Sequence, residues 1–288
     1  MKLTSLRLPV TFLVVLIGGF AWACGSVPDP RITSLGNEGF LIEAEGRVVM
    51  IDALYVGLPG YVAPTEEQRS ARERAVPPFD TVDLVLATHH HGDHFDAEVV
   101  ARHLDANPRG VLITTPTAVD LIRQNRADLA EMSDRLRRVY PMEGESIHLE
   151  FADIDVEVLN LHHGRQRDPL VENLGFIVRM GGFSFLHMGD TEATAEEIGS
   201  LDLRDRNIDV AFVPFWLLEE RQNARSYLEA IGAATVVAMH IPASDAPPSY
   251  LAPGKDLEDL IRLLEDITPG VVILPQVMDA RVFTSGTS

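Results

Sequence analysis

Potential metal ligands crowd into one short stretch of this chain, Thr88-His89-His90-His91-Gly92-Asp93-His94-Phe95-Asp96. Imidazole nitrogen and carboxylate oxygen are the ligands that zinc and similar divalent ions prefer, at roughly 2.0–2.2 Å from the metal. A polar surface turn with a chance excess of histidine is the alternative, but neighbouring imidazoles repel one another once protonated. The spacing His-x-His-x-Asp-His therefore predicts a metal site.

The elements around this stretch indicate how it is positioned. An apolar run, Leu84-Val85-Leu86-Ala87, precedes it and is typical of a buried β-strand. In α/β folds the carboxyl ends of such strands present the ligands. Three more strand-like segments end in residues of the same kind, namely Leu161-His162-His163-Gly164, His187-Met188-Gly189-Asp190-Thr191 and Met239-His240.

The pattern His89-x-His91-x-Asp93-His94, with the order of motifs that follows it, resembles the signature of the metallo-β-lactamase fold superfamily. The resemblance covers nearly the whole chain after its first residues and implies an α+β fold, a four-layer αββα sandwich. Within the superfamily, the His-Gly pair at His163 and the His187-x-Gly-Asp-Thr pattern are most similar to lactonase-like hydrolases of the ascorbate-6-phosphate lactonase type.

The resemblance also implies a set of ligands. His89, His91 and His163 would hold one metal ion, with His162 as the alternative to His163. Asp93, His94 and His240 would hold a second ion, and Asp190 would bridge the two. Asp52 and His187 would orient ligands from behind, although a strand-end Asp and a packed His are the ordinary alternatives.

Such a centre implies a hydrolase in which two cations create a metal-bridged hydroxide near neutral pH, with Asp93 and Asp190 as the catalytic carboxylates. Zinc is the default metal, and manganese or iron also suits these ligands. The expected substrate is a small molecule with a lactone, phosphodiester or amide bond. The alternatives are an oxidoreductase of the dioxygenase type with a single iron, and a non-catalytic metal-binding lipoprotein.

The first residues predict export. Residues 1–23 combine an early positive charge, a short apolar run and the small-residue end Ala21-Trp22-Ala23, which describes a signal peptide. Cys24 follows directly and is the only cysteine, so it is either acylated as in a lipoprotein or unmodified, and no intrachain disulfide can form. We expect a linker over 24–30, one domain over 31–288 and a location in the periplasm or cell envelope, with membrane contact only through a lipid at Cys24.

Composition limits the partners. The chain has 24 Lys+Arg against 43 Asp+Glu, a formal net charge of −19, with no basic stripe. A nucleic-acid backbone would be repelled, so we expect no nucleic-acid partner. The oligomeric state stays open.

Other segments give weaker expectations. The excursion Ala53–Phe79 is either a flap that brings Tyr55 and Tyr61 to the substrate or a plain surface excursion. Pro214–Leu218 is apolar and either lines a pocket or only packs. His103 is expected on a helix surface, His148 in a strand, and the alternating charges of Asp128–Arg138 on a solvated face.

Overall fold

A computed structural model of the chain describes residues 28–125, 134–164, 170–251 and 255–284. The predicted signal peptide, Cys24 and most of the predicted linker lie outside the described residues. Within the described ranges, no helix is long and apolar enough to cross a membrane.

The described strands form two mixed sheets. In chain order they are β1 Arg31–Gly36, β2 Gly39–Ala44, β3 Arg47–Ile51, β4 Leu84–Leu86, β5 Val111–Thr114, β6 Leu136–Arg138, β7 Ser146–Phe151, β8 Ile154–Asn160, β9 Leu174–Met180, β10 Phe183–His187, β11 Val210–Pro214, β12 Thr235–Met239, β13 Val272–Ile273 and β14 Ala280–Val282. The first sheet has the order β14-β1-β2-β3-β4-β5-β6, and the second has the order β13-β12-β11-β10-β9-β8-β7.

Six α-helices cover the outer faces within the described ranges: α1 Glu66–Glu73, α2 Ala97–Ala106, α3 Pro116–Asn125, α4 Ala195–Gly199, α5 Arg221–Ile231 and α6 Leu257–Ile267. The buried residues of α2 and α3 pack in one apolar cluster with the first sheet. Those of α4, α5 and α6 belong to a larger cluster that also holds residues of both sheets. This arrangement confirms the predicted αββα sandwich.

Successive side chains in the strands of the first sheet belong alternately to the two apolar clusters, one on each face of the sheet. In β2, Phe40 and Ile42 face the second sheet while Leu41 faces the helices, and in β3, Val49 and Met50 divide in the same way. Successive side chains of a strand point to opposite faces, so a sheet buried on both sides needs apolar residues at every position.

Strand direction brings the potential ligands to one edge. In the second sheet β10, β11 and β12 are parallel, and β8 has the same direction because it and β10 are both antiparallel to β9. In the first sheet β4 is parallel to both of its neighbours. The residues after β4, β8, β10 and β12 are those that the sequence singled out.

Several local structures have clear causes in the sequence. Thr65 caps α1 in a capping box with Gln68, and Asp96 caps α2 by accepting hydrogen bonds from the first-turn amides. Gly181 and Gly182, both with positive φ, form the turn of the β9–β10 hairpin.

Two predictions are wrong or incomplete. His103 is not a surface residue: it is fully buried, and its Nδ1 lies 2.7 Å from the carbonyl oxygen of Arg72. The charged stretch Asp128–Arg138 is only partly described, but its end is not a solvated face alone, because Leu136 is buried and begins β6. Both errors come from contacts that join distant parts of the chain.

Candidate metal centre

The loop after β4 is anchored by Asp52, the residue that follows β3. The Asp52 carboxylate accepts hydrogen bonds from the backbone N–H of Thr88 (2.7 Å) and from its hydroxyl (2.6 Å). The carbonyl of His91 then accepts the N–H groups of His94 (3.0 Å) and Phe95 (2.9 Å), which closes a tight turn. The loop therefore has little freedom before α2 begins.

This loop and three strand ends of the second sheet bring two sets of ligand-type atoms together. In each set the atoms lie within 4.8 Å of one another: His89, His91, His163 and Asp190 in the first, and Asp93, His94 and His240 in the second. We call these sets the first and the second ligand group. They are the combinations that the sequence predicted.

Asp190 lies between the two groups. Its Oδ2 is 3.6 Å from His163 Nε2 and 3.4 Å from His240 Nε2, and its Oδ1 is 3.2 Å from His94 Nε2. His240 Nε2 is also 3.3 Å from Asp93 Oδ2. Two ligands that share one ion at about 2.1 Å must lie within about 4.2 Å of each other, so these separations suit shared ions.

The buried polar atoms of the site fit a cation. Among the described residues, these atoms have no hydrogen-bond partner: Nε2 of His89, His94, His163 and His240, and Oδ1 of Asp190. An unpartnered buried polar atom costs free energy and is rare in folded proteins. Four ring nitrogens and a carboxylate oxygen left open in one small volume have the chemistry of a metal site.

Burial sets the protonation of the first group. Desolvation lowers the pKa of His89 well below its usual value, and the same effect, with the neighbouring His163 second, lowers the pKa of His91. A histidine must be neutral to bind a metal. These two imidazoles are therefore already in the ligating form at neutral pH.

The second group behaves differently. Burial alone would lower the pKa of both histidines, but the Asp190 charge and the contacts with Asp93 and other nearby carboxylates together outweigh it. They raise the pKa of His94 well above its usual range and that of His240 to about 10. The pKa values of Asp93 and Asp190 are lowered in spite of burial, by their interactions with the nearby His94 and His240. Without a metal, protons supply the positive charge that the carboxylates require.

Asp52 and His187 support the site from behind. Asp52 Oδ2 lies 3.0 Å from His94 Nδ1, which leaves Nε2 of that ring facing Asp93 and Asp190. The Nδ1 of His187 accepts the Gly189 N–H (3.2 Å), and its Nε2 donates to the carbonyl of Glu38 (3.0 Å). His187 thus holds the turn that carries Asp190 without touching a ligand side chain.

Asn173 is a support that the sequence did not reveal. Its amide nitrogen donates to the carbonyls of Leu161 (2.5 Å) and Met188 (3.3 Å), and its oxygen accepts the Asp190 N–H at 3.2 Å. One side chain therefore joins the ends of β8 and β10, on either side of β9. An Asn before a strand carries no local signal of this role.

The structure separates the two adjacent histidines. His163 lies in the first ligand group, whereas His162 turns away and places its Nε2 3.3 Å from Glu197 Oε2. The geometry therefore favours His163 over the alternative.

A pocket of about 570 Å³ opens onto the ligands and is lined by Tyr61, Phe215, Trp216 and Tyr250. The rings of Tyr61 and Trp216 pack edge-on against His240, with centroids 4.2 and 5.0 Å away. Trp216 is fixed by donating its Nε1–H to the carbonyl of Thr191 at 3.0 Å. Tyr61 and, from the segment 214–218, Phe215 and Trp216 thus line the pocket, whereas Leu217 and Leu218 are buried in the core.

Tyr55 does not. It is fully buried, and its hydroxyl lies 3.3 Å from the carbonyl of Val62. Burial raises its pKa to about 12. The expectation that Tyr55 contacts substrate is wrong, because this ring packs beneath the excursion instead of lining the pocket.

Two further residues near the ligands come from the β1–β2 turn. Asn37 donates its side-chain N–H to Asp93 Oδ2 at 3.2 Å, and Glu38 is completely buried. Burial and then the Asp190 charge raise the pKa of Glu38 well above its usual value. Hairpin turns are normally exposed, so sequence patterning gives no reason to look for site residues here.

Comparison with known proteins agrees with this geometry. A beta-lactamase superfamily domain model matches residues 47–274. A UPF0173 metal-dependent hydrolase of Nitratidesulfovibrio vulgaris is 30% identical over 220 residues, which cover 73% of this chain and 79% of that protein.

Two solved structures have a similar fold. Igni18, a metallo hydrolase from Ignicoccus hospitalis, has a TM-score of 0.55 at 18% identity and covers 88% of this chain and 99% of its own. CmlA, a diiron β-hydroxylase from Streptomyces venezuelae, has a TM-score of 0.58 at 16% identity and covers 89% of this chain and 54% of its own. At these identities the likeness concerns the fold alone.

The matched region extends from β3 to the residue after β13, and so contains the loop after β4 and all three strand ends that complete the ligand groups. Sequence match, fold and the convergence of ligand-type side chains agree, and the resemblance stated from the sequence is confirmed. The chain belongs to the β-lactamase superfamily and has the metallo-β-lactamase fold.

Proposed function

We propose that this metal-dependent hydrolase of the metallo-β-lactamase superfamily cleaves a lactone, phosphodiester or amide bond of a small molecule with two divalent metal ions. The observation that carries the proposal is the pair of ligand groups on either side of Asp190. His89, His91 and His163 would hold one ion, Asp93, His94 and His240 the other, and Asp190 both. Zinc is the first expectation, with manganese or iron as alternatives.

Bound metal ions would lower the pKa of a water molecule and polarise the bond under attack. The residues of the chain supply the geometry for this chemistry. Asp52 fixes the His94 ring, and Asn37 holds the Asp93 carboxylate through the 3.2 Å hydrogen bond. Asp93 would both bind a metal ion and orient the attacking hydroxide. Because all these groups are pre-positioned, little reorganisation is needed during the reaction.

The pocket supports a small-molecule substrate. Its volume of about 570 Å³ is in the range of ligand sites, and its aromatic walls suit an apolar substituent. Among the described residues, no Lys or Arg lines the pocket, so of these groups the metals would be the main attraction for an anionic substrate group.

Export is a separate part of the proposal and depends on residues 1–24 alone. We infer that the protein acts in the periplasm or cell envelope, anchored through an acylated Cys24. Fractionation and fatty-acid labelling of the wild type and Cys24→Ala would test it. Label on the wild type alone is expected, and a cytosolic wild type would contradict it.

The hydrolase is tested with chromogenic lactone, aryl phosphodiester and cephalosporin probes, before and after chelation and after metal is restored. Chelator-sensitive cleavage of at least one probe, restored by zinc or manganese, is the expected result. CmlA shares the fold and is a diiron hydroxylase, so oxygen uptake is measured in parallel. A single iron with oxygen uptake and no hydrolysis would favour the oxidoreductase alternative.

A further inference from the structure

Glu38 is an acidic residue for which the ligand assignment above has no role. It lies in the turn between β1 and β2, and none of its surface is exposed. Among the described residues, neither of its carboxylate oxygens has a hydrogen-bond partner. Its backbone is fixed, because its carbonyl accepts the His187 Nε2–H at 3.0 Å. A buried carboxylate without partners is costly unless a cation compensates it.

The surroundings of Glu38 point to the metal centre. One of its oxygens lies within 4.8 Å of ligand-type atoms of both His94 and Asp190. The charges of Asp190, His240, His94 and Asp52 all act on it. Glu38 does not line the substrate pocket, so it approaches the site from the protein interior.

A hydrogen bond to His94 does not account for this carboxylate. Glu38 Oε2 is 3.8 Å from His94 Nδ1, beyond hydrogen-bond distance, whereas Asp52 Oδ2 is 3.0 Å from the same atom. The ring carries one proton at Nδ1, and Asp52 is placed to accept it. Both oxygens of Glu38 are thus left for another partner.

We propose that Glu38 is a further carboxylate ligand of the metal centre, which binds the ion held by His94 and Asp190. This inference rests on the proposed function, because it requires that the ligand groups bind metal. A third carboxylate adds negative charge and one more oxygen donor to that ion. Manganese and ferrous iron take more oxygen ligands than four-coordinate zinc, so Glu38 would shift the metal preference of this position towards them.

Cobalt(II) is the probe for the test, because four-coordinate cobalt absorbs visible light strongly and cobalt of higher coordination absorbs weakly. Metal-free full-length protein is titrated with cobalt in the wild type and in Glu38→Gln, which keeps the shape and removes the charge. We expect stronger absorption in the variant, and a manganese affinity about tenfold or more below that of the wild type.

Glu157→Gln is the matched control. Glu157 is also fully buried, but it is paired with Arg179 (2.9 Å) and Arg206 (3.0 Å), outside the ligand groups. Its substitution should leave the cobalt spectrum and the manganese affinity unchanged. If Glu38→Gln does not fold, Glu38→Asp keeps the charge but withdraws the oxygens, and should change the spectrum in the same direction.

Thermal unfolding separates a ligand from a structural residue. Loss of a metal ligand should reduce the stabilisation that metal gives. The metal-free protein should keep or gain stability, because a buried acidic group without hydrogen-bond partners is removed. If Glu38→Gln shifted the melting temperatures of the metal-free and the metal-bound protein equally, or left the cobalt spectrum unchanged, the role of Glu38 would be overturned and the proposed function would stay intact. A wild type that binds no cobalt would overturn both.

Discussion

His94 belongs to the second ligand group and lies beside Asp190, the residue between the two groups. Asp52 holds its Nδ1, and its Nε2 faces Asp93 at 3.6 Å and Asp190 at 3.2 Å. The Asp190 charge, against the effect of burial, raises its pKa well above the usual range. In the metal-free protein this ring is therefore a cation, and metal binding must displace its proton.

Because protons take the place of metal ions on His94 and His240, the stability of the metal-free protein should depend on pH in an unusual way. The carboxylates of Asp190, Asp93 and Glu38, with Asp190 contributing most, raise the folded-state pKa of His240 from 6.5 to about 10 against the effect of burial. A histidine whose pKa is higher in the folded than in the unfolded protein stabilises the fold. This stabilisation is fully present below the pKa of the unfolded state and is lost as the pH rises through the pKa of the folded state. We expect the free energy of unfolding, measured with denaturant in chelator, to fall between about pH 7 and pH 10.

The metal-loaded protein is the control for this titration. Metal ions compete with protons for His94 and His240, so the stabilisation that metal gives should grow over the same pH interval. A metal-free protein whose free energy of unfolding stays level or rises over this interval would contradict the assignment of protonated histidines in the second ligand group.

The neighbouring histidines His162 and His163 provide a matched pair of substitutions. His163→Ala removes a potential ligand and should lower chelator-sensitive hydrolysis by more than about a hundredfold, since even partners of ligands change activity by 10–100-fold. His162→Ala removes only the contact with Glu197 and should change hydrolysis less than about threefold. Steady-state rates and metal content of the purified variants measure this. The reverse order would exchange the two residues in the ligand set.

Local spacing predicts some site residues and misses others. The loop His89–His94 and Asp190 are visible in the sequence because each set lies within a few residues of a strand end. Glu38 is not, because its contact with His187 joins residues 149 positions apart. Asn37 and Asn173 are missed because neither carries a local pattern, and their contacts with Asp93 and Asp190 join residues 56 and 17 positions apart.

At the scale of elements, the turn after β10 decides where Asp190 lies. Gly189 has φ +56°, and a Cβ there would come within 2.5 Å of Asn173 Oδ1 and 2.8 Å of Thr88 Cβ. Only glycine allows this close approach between the ends of the two sheets.

Gly189→Ala should therefore lower the free energy of unfolding by about 2–4 kcal/mol, as the sum of left-handed strain and overpacking. Gly182→Ala is the control: its φ is +77°, but nothing lies within 4 Å of the added Cβ, so strain alone should cost about 1–2 kcal/mol. Denaturant unfolding of both variants gives the comparison. If both variants lost the same free energy of unfolding, the turn at Gly189 would impose no steric restriction.

Elements themselves were largely predictable, and their packing was not. The capping signals of α1 and α2 and the Gly-Gly turn act within a few residues, so they are readable in the sequence. The burial of His103 and Tyr55 depends on contacts with backbone carbonyls, that of Arg72 for His103 and those of Leu35 and Val62 for Tyr55. The hydrophobic periodicity of a helix predicts which face packs on the core. It does not predict that a neighbouring helix covers the opposite face as well.

At the scale of the whole molecule, the two sheets contribute different parts of the site. The first sheet supplies His89, His91, Asp93 and His94, and the second supplies His163, Asp190 and His240. Metal ions bound by both groups would join the sheets at this edge. Chelation should therefore lower the stability of the whole domain as well as its activity.

The most direct test of the central claim is the number of metal ions that one chain binds. Elemental analysis of the purified protein, reconstituted with zinc or manganese and freed of excess metal, should give about two ions per chain, and about one in His163→Ala. Thermal unfolding before and after chelation should show a lower melting temperature without metal. A folded wild type that retains no divalent metal would contradict the dinuclear site and the hydrolase mechanism that depends on it.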